Sequence, residues 1–326
     1  MITVNDVAIV VIGRNEGQRL VECLQSIIIH AMPVVYVDSG SCDSSVDYAA
    51  RCGAHVIQLD PYLPYTAARA RNEGFLALRS LHPQVRLIQF IDGDCILAPG
   101  WLEAAKTFLS ARRDVAVVCG RRRERHPDAS LYNRLCDLEW DTPIGEATAC
   151  GGDALVRTEA FEAVGGFRST LIAGEEPELC LRLRLKGWLV WRLDSEMTSH
   201  DAAIGELRQW WSRSVRCGYG YANVAWLHRN SKYGIWRRET LRALIWGGIM
   251  PAVICIGAIA YPATLLTALI YPAQIGRVAI RAGARSRLAW QRATLLTLGK
   301  FPEFEGILRF LWYTARRRAA TLIEYK

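Results

Sequence analysis

Two carboxylates separated by one glycine, Asp92-Gly93-Asp94, directly follow the apolar run 87–91. If that run is a strand, both acids stand at its carboxyl end, where open α/β sheets bind ligands. One or two carboxylates, together with phosphate oxygens, hold a hard cation that offsets the charge of a departing diphosphate. A D-x-D alone is usually an ordinary turn, and its place after an apolar run gives it weight. His200 offers an imidazole suited to a borderline cation such as manganese, although a lone histidine more often serves structure. Glu175-Glu176-Pro177-Glu178 reads as a helix start with proline in its first turn. Acids there commonly serve only the helix dipole. Attack by a hydroxyl, however, needs a carboxylate to accept its proton, and either Glu175 or Glu176 suits that task. Asp38, after the run 34–37, leads into Ser39-Gly40-Ser41-Cys42-Asp43-Ser44. It suits a hydrogen bond from a base N–H or a ribose hydroxyl; the stretch suits a helix N-cap equally well.

These side chains need a scaffold, and the first half of the chain supplies the pattern for one. Runs 7–12, 34–37, 56–59, 87–91 and 115–119 are short and rich in β-branched residues, and they alternate with helical periodicity. Leu20, Cys23, Leu24, Ile27 and Ile28 recur at helical spacing, and 65–81 and 99–110 read as further helices, the last with proline at its start. After Cys150 come Gly151-Gly152-Asp153, a helix from Thr158, a Gly165-Gly166-Phe167 turn, a helix over 175–186 and a last strand over 188–193 that precedes Ser199-His200-Asp201. The fold class predicted is α/β: a doubly wound, mixed but mainly parallel sheet flanked by helices.

The remainder has a different composition. Residues 243–276 carry no charge over 34 positions, roughly 50 Å as continuous helix against a hydrocarbon core of roughly 30 Å. A break near Tyr261-Pro262 gives two short spans, and arginines on both flanks favour a membrane hairpin with both ends cytosolic over a buried helical pair. The net charge is +8; from residue 277 onward eleven Arg and Lys face three Glu, a difference that equals the total. Beside a hairpin, this tail, with Phe301, Phe304, Ile307, Leu308, Leu311 and Trp312 interleaved with Lys300, Arg309 and Arg316-Arg317-Arg318, reads as basic amphipathic helices lying on anionic lipid, not as a nucleic-acid site. The ten cysteines show no C-x-x-C and no zinc spacing, as expected of reduced thiols, and no secretory signal pattern opens the chain. The domains expected are 1–235, catalytic; 236–276, hairpin; and 277–326, interfacial. The expected location is the cytoplasmic (inner) membrane, with the catalytic domain on the cytosolic side.

Taken in order, Val11-Ile12-Gly13-Arg14-Asn15-Glu16, Asp38, Ala70-Arg71-Asn72-Glu73-Gly74, Asp92-Gly93-Asp94, Gly151-Gly152, Gly165-Gly166-Phe167 and Gly174-Glu175-Glu176 resemble the family 2 glycosyltransferases of GT-A fold, over about residues 5–220. The resemblance implies inverting transfer from a nucleotide diphosphate sugar, a UDP-sugar foremost, with Mg²⁺ or Mn²⁺. The acceptor it suggests beside a membrane is lipid-linked or membrane-proximal glycan. By matched position Asp38 is similar to the base-binding Asp, Asp92 to the ribose contact and Asp94 to the metal ligand. His200 resembles the metal-site His of some members. Arg71 and Asn72 match the nucleotide-side helix, and Asn15, Glu16 and Gly152 fall among the same nucleotide-sugar contacts. Glu176 stands where the family usually has the Asp of its Glu-Asp base motif, so the base is Glu175 or Glu176. Gln209, Trp210, Trp211 and Arg213 differ in spacing and order from the Gln-x-x-Arg-Trp signature of processive relatives. The competing readings are an inactive membrane-bound scaffold and a nucleotidyltransferase, which would want a Gly-rich basic loop after the first strand where Gly13-Arg14-Asn15-Glu16-Gly17 stands.

Overall fold

The computed structural model describes residues 6–316. Their contacts divide into two compact units, with the division between Ala203 and Ile204. The first contains one nine-stranded sheet built from β1 (Val7–Gly13), β2 (Val34–Asp38), β3 (His55–Gln58), β4 (Leu87–Asp92), β5 (Cys95–Leu97), β6 (Val115–Glu124), β7 (Gly145–Ala147), β8 (Ala154–Arg157) and β9 (Leu189–His200). The strand order is β3-β2-β1-β4-β8-β6-β9-β5, and β7 pairs with β9. The block β3-β2-β1-β4 is parallel, as is β6–β9; the pairings β4–β8, β6–β8, β5–β9 and β7–β9 are antiparallel. The sheet is therefore evenly mixed, not mainly parallel. The short returns after Gly120 bring antiparallel partners that the β-branched runs of the first half do not announce.

Residues 7–11 of β1 are fully buried, the near-continuous apolar run of a strand covered on both faces. Helix α1 (Gln18–Ile28) buries Leu20, Cys23, Leu24 and Ile27, one face at helical spacing. After α2 (Ser45–Arg51), helix α3 (Ala67–Leu81) starts two residues later than its apolar pattern, because Thr66 caps it by accepting from the Arg69 N–H. Helix α4 (Trp101–Ala111) starts after Gly100, which is left-handed (φ 78°), so Pro99 stands before the helix and not within it. Helices α5 (Leu131–Trp140), α6 (Thr158–Ala163) and α7 (Glu175–Leu185) complete this unit. Strand β9 runs seven residues beyond the predicted 188–193 segment, because β6 and β5 both pair with that extension and satisfy its backbone.

The second unit holds α8 (Leu207–Leu227), which the sequence pattern had placed with the catalytic domain up to residue 235, followed by α9 (Arg237–Ala243) and a π-helical turn Leu244–Ile249. Next come α10 (Met250–Ala260), a 3₁₀ segment Pro262–Leu269, α11 (Ile270–Gly283), α12 (Arg287–Leu298) and α13 (Lys300–Ala315). Two continuous helical stretches, Arg237–Ala260 and Pro262–Gly283, are long and apolar enough to cross a membrane, with mean hydropathies of 2.1 and 1.3, and only 17% and 6% of their most apolar windows are buried. The break falls at Tyr261, and the second stretch extends past Gly276 to Gly283. Helices α8 and α13 touch through glycine: a Cβ on Gly218 would lie 2.0 Å from the Glu303 carbonyl, and one on Gly306 would lie 2.1 Å from that of Val215. The Gln209 side chain accepts from the Glu206 N–H in a capping box, so here it starts a helix. Arg317 and Arg318 lie outside the described residues.

Candidate active site

The Asp92-Gly93-Asp94 pair sits where β4 ends and β5 begins. Antiparallel register sets Cys95 opposite His200, and this carries His200 to its neighbour: the imidazole Nε2 lies 3.2 Å from Asp94 Oδ2, with both side chains buried. The Trp140 ring meets the imidazole edge-on, centroids 4.8 Å apart. Asp94, Cys95 and His200 thus offer ligand atoms within 4.8 Å of one another. The buried Cys95 thiol, its pKa pushed well up by burial, is a poor partner for a hard cation. Carboxylate plus imidazole fits Mn²⁺, and the carboxylate with phosphate oxygens fits Mg²⁺. A second group, Asp92, Cys95 and Asp153, is equally close-set. There, however, the Arg122 guanidinium stands 3.3 Å from Asp92 and 3.7 Å from Asp153, so a cation is already in place between them.

Arg71, from α3, is 2% exposed and ties the two acidic groups together. One Nη is 2.8 Å from Asp92 Oδ1; the other is 3.1 Å from Glu175 Oε1 and 3.3 Å from Glu176 Oε1. The cation also lies over the Phe167 ring, 5.5 Å from its centroid. A Cβ at position 152 would fall 2.7 Å from both Arg71 Nη2 and Asp92 Oδ2, so glycine there lets the backbone approach the ion pair. Burial works against ionisation of Asp92, but Arg71 and Arg122 together outweigh it and hold its pKa below the carboxylate range. Glu176 moves the other way. Burial, then the neighbouring Glu175 charge, raises its pKa to about 7 in spite of Arg71. Its side chain is also the more open of the two, 17% exposed against 6% for Glu175.

Other predicted site residues have different employment. Asp38 is 1% exposed, and its carboxylate accepts from the Tyr36 and Ser41 hydroxyls and from the Gly40 and Ser41 N–H groups. Its own loop consumes both oxygens. Asn15 Oδ1 accepts from the Cys42 N–H at 2.8 Å, and the Asn15 N–H donates to Ser41 Oγ, which staples the β1–α1 loop to the same turn. Glu16 pairs with Arg19 at 2.8 Å. Asn72 donates to the Phe167 carbonyl (2.7 Å) and Ser169 Oγ, and accepts from the Phe167 N–H (2.9 Å). It therefore holds the Gly165-Gly166-Phe167 turn. Arg182 donates to the Gly166 carbonyl from the other side and is itself gripped by buried Glu178. A Cβ on Gly166, at φ 68°, would lie 2.7 Å from Asn72 Oδ1.

Two residues of the cluster were not singled out from sequence. Arg122 lies over the Trp140 ring at 5.0 Å while reaching Asp92, and Asp153, fully buried, accepts from the Asp92 N–H (3.1 Å) and the Thr198 hydroxyl (2.7 Å). Arg122 belongs to an Arg121-Arg122-Arg123 run, and the register of β6 on β9 shifts between Arg121 and Arg122. Asp153 directly follows Gly151-Gly152, so its position was available as a signal.

The comparisons with known proteins point the same way as this geometry. Residues 8–165 match "Glycosyl transferase family 2". The pre-mycofactocin glycosyltransferase of Mycobacterium tuberculosis is 28% identical over 263 residues, 76% of this chain and 52% of that protein, so the chain spans about half the length of that relative. Among solved structures, the mannosyltransferase PcManGT of Pyrobaculum calidifontis, in complex with GDP-Man and Mn²⁺, aligns with a TM-score of 0.66 at 18% identity over 94% of this chain and 87% of its own. The Staphylococcus aureus protein TarS (1–349), in complex with UDP-GlcNAc, aligns at 0.55 and 12% identity over 96% and 92%. These last two likenesses bear on fold alone, a GT-A-like mixed sheet flanked by helices. The matched segment, residues 8–165, runs from β1 through the Asp-Gly-Asp pair to the glycine turn, and over that segment the chain matches glycosyltransferase family 2.

Proposed function

We propose that this protein transfers a sugar, with inversion, from a nucleotide diphosphate sugar to a lipid-linked or membrane-proximal glycan at the cytosolic face of the cytoplasmic membrane. The observation that carries the chemistry is the single buried Arg71 shared by Asp92 on one side and Glu175 and Glu176 on the other. Asp94 and His200 would hold a divalent cation, which supplies neutralisation of the leaving diphosphate. Asp92, kept ionised by Arg71 and Arg122, accepts hydrogen bonds from the donor's ribose. Glu176 is the general base: its pKa of about 7 suits both holding and releasing a proton near neutrality. Glu175 is the counter-charge that keeps Arg71 in place. Inversion follows from one direct displacement, in which the acceptor hydroxyl attacks the anomeric carbon, its proton passes to Glu176, and the diphosphate departs from the opposite face.

The nucleoside side rests on the turn that Asp38 shapes: base contacts come from the Gly40–Ser41 segment that its carboxylate holds. The exposed apolar helices of the second unit support the membrane assignment, since water tolerates poorly two such lengths of uncovered hydrocarbon surface. The mannose and N-acetylglucosamine nucleotides bound by the two structural relatives make GDP-Man and UDP-GlcNAc the first donors to try, beside other UDP-sugars. The test is release of nucleoside diphosphate by the full chain from a donor panel, with Mn²⁺, Mg²⁺ or EDTA. Release from one donor that EDTA abolishes supports transfer. Release that persists in EDTA removes the metal from the reading, and no release with any donor and membrane extract favours a binding scaffold.

A further inference from the structure

Beside the catalytic cluster lies a cavity of about 520 Å³ at the end of β6 and the middle of β9. Trp140 touches His200 and Arg122; the next residue, Asp141, already lines this cavity. Two buried guanidinium groups, Arg121 and Arg192, also line it. Arg121 is satisfied in part, by Asp137 at 2.9 Å and the Arg122 carbonyl. Toward Asp141 both arginines hang loose. Arg121 Nε is 3.5 Å and Arg192 Nη2 is 3.9 Å from the same Oδ1, both longer than a direct charge-assisted hydrogen bond. Arg192 Nη1 donates to the Leu193 carbonyl, and its Nε is buried without a hydrogen-bond partner among the described residues.

The charge around the cavity decides the ligand's class. Arg121, Arg123 and Arg192 are offset by Asp141, Asp194 and Glu196, and Arg123 and Glu196 already form a doubly hydrogen-bonded pair at 2.6 and 2.7 Å. With cations and carboxylates in balance, neither an anion nor a cation gains from entering. What the lining offers is fixed donors and fixed acceptors side by side, plus the Thr142 and Ser195 hydroxyls, with Pro143 and Ile144 as apolar neighbours. A hydroxyl both donates and accepts, so one set between Asp141 and the two arginines satisfies all three. Vicinal hydroxyls on an apolar ring satisfy the rest.

We propose that this cavity is a saccharide subsite, separate from the reaction centre and adjoining it through Trp140–Asp141, which holds a sugar of the acceptor. Its assignment to the acceptor rests on the transferase reading; sugar binding itself does not, and can be measured without turnover.

The experiment is saturation-transfer difference NMR on the full chain, in EDTA, without nucleotide, and in a detergent lacking a sugar headgroup. The probes are methyl α-mannopyranoside, methyl β-galactopyranoside and methyl N-acetyl-β-glucosaminide at millimolar concentration. At least one glycoside should give ring-proton signals that fall fivefold or more in Asp141→Ala and persist in Asp94→Ala. Asp141 is solvent-exposed, so the variant should fold; circular dichroism checks this, and Thr142→Val is the second variant, expected to weaken the same signals two- to threefold. Signals lost in Asp94→Ala but kept in Asp141→Ala would put the sugar in the reaction centre and overturn the proposal. Absence of signal from all three glycosides up to tens of millimolar would overturn it too, leaving the gap to ordered water. A failure of donor turnover alone would leave this result untouched.

Discussion

Two acidic sites stand at the carboxyl ends of two strands that flank β1 in one sheet, and they spend their charge differently. At the end of β2, Asp38 is encircled by donors from its own strand and turn: two hydroxyls and two backbone N–H groups. At the end of β4, Asp92 shares a buried arginine with two glutamates from a helix more than eighty residues away, and one of those glutamates has its protonation displaced toward neutrality. Burial is common to both sites. What separates them is whether the partners are local and neutral or distant and charged. The first arrangement shapes a loop; the second stores an electrostatic imbalance that chemistry can use.

If this distinction is correct, substitutions on the β4 side should change rate, and substitutions on the β2 side should change shape. The largest effect expected is for Asp94→Ala, which removes the carboxylate of the Asp94–His200 pair. Loss of about 5 kcal/mol of transition-state stabilisation corresponds to roughly 10⁴ in kcat, measured as nucleoside diphosphate release at saturating donor. EDTA should reproduce it in the unaltered protein. A residual rate above a tenth in the variant would move the metal away from Asp94.

Next comes Glu176→Gln, an isostere that cannot take a proton, with a fall of roughly 10²–10³ in kcat against about tenfold for Glu175→Gln. A reversal of that ranking would exchange the roles of the two glutamates. The pH profile sharpens the same point. The base acts when ionised, so kcat/KM should rise with pH up to about 7 and level off above it. The linkage to stability has the opposite sense. Folding raises the pKa of Glu176, so the folded state holds more protons than the unfolded chain between the ordinary glutamate range and about 7. This group's contribution is fully present below that range and lost as pH rises through about 7. Chemical denaturation across pH 5 to 8 should show a steeper decline for the unaltered protein than for Glu176→Gln.

The β-branched runs, the α1 periodicity and the D-x-D were readable in sequence because each rests on local pattern, and the structure has them within a residue or two except for β6, which runs five residues past the expected 119. Arg122 was not readable, since its approach to Asp92 and Asp153 depends on how β6 registers with β9. The same register lengthens β9 to His200 and makes the sheet evenly mixed. Asn72 shows the converse. Its place in Ala70-Arg71-Asn72-Glu73-Gly74 suggested a nucleotide contact, but sequence order cannot say which of two adjacent side chains on a helix faces the ligand. Arg71 turns toward the carboxylates and Asn72 toward the Phe167 turn. Asn72→Ala should therefore act through folding. Breaking a paired contact to the Phe167 backbone should cost about 1–3 kcal/mol in urea denaturation, with KM for the donor changing less than threefold at a temperature where the variant is folded.

The smallest effect expected on catalysis is that of Asp38→Asn, and it tests the comparison most directly. Asparagine keeps one acceptor oxygen and substitutes an NH₂ for the other, so two of the four donors around position 38 lose their partner and at least one donor faces another. The cost falls on the Gly40–Ser41 turn, and with it on nucleoside binding. KM for the donor should rise severalfold while kcat at saturation stays within about twofold, the pattern of lost uniform binding. A fall in kcat comparable to that of Glu176→Gln would mean that the Asp38 charge takes part in the transition state. The division between a loop-shaping carboxylate and a reacting one would then have to be drawn elsewhere in the sheet.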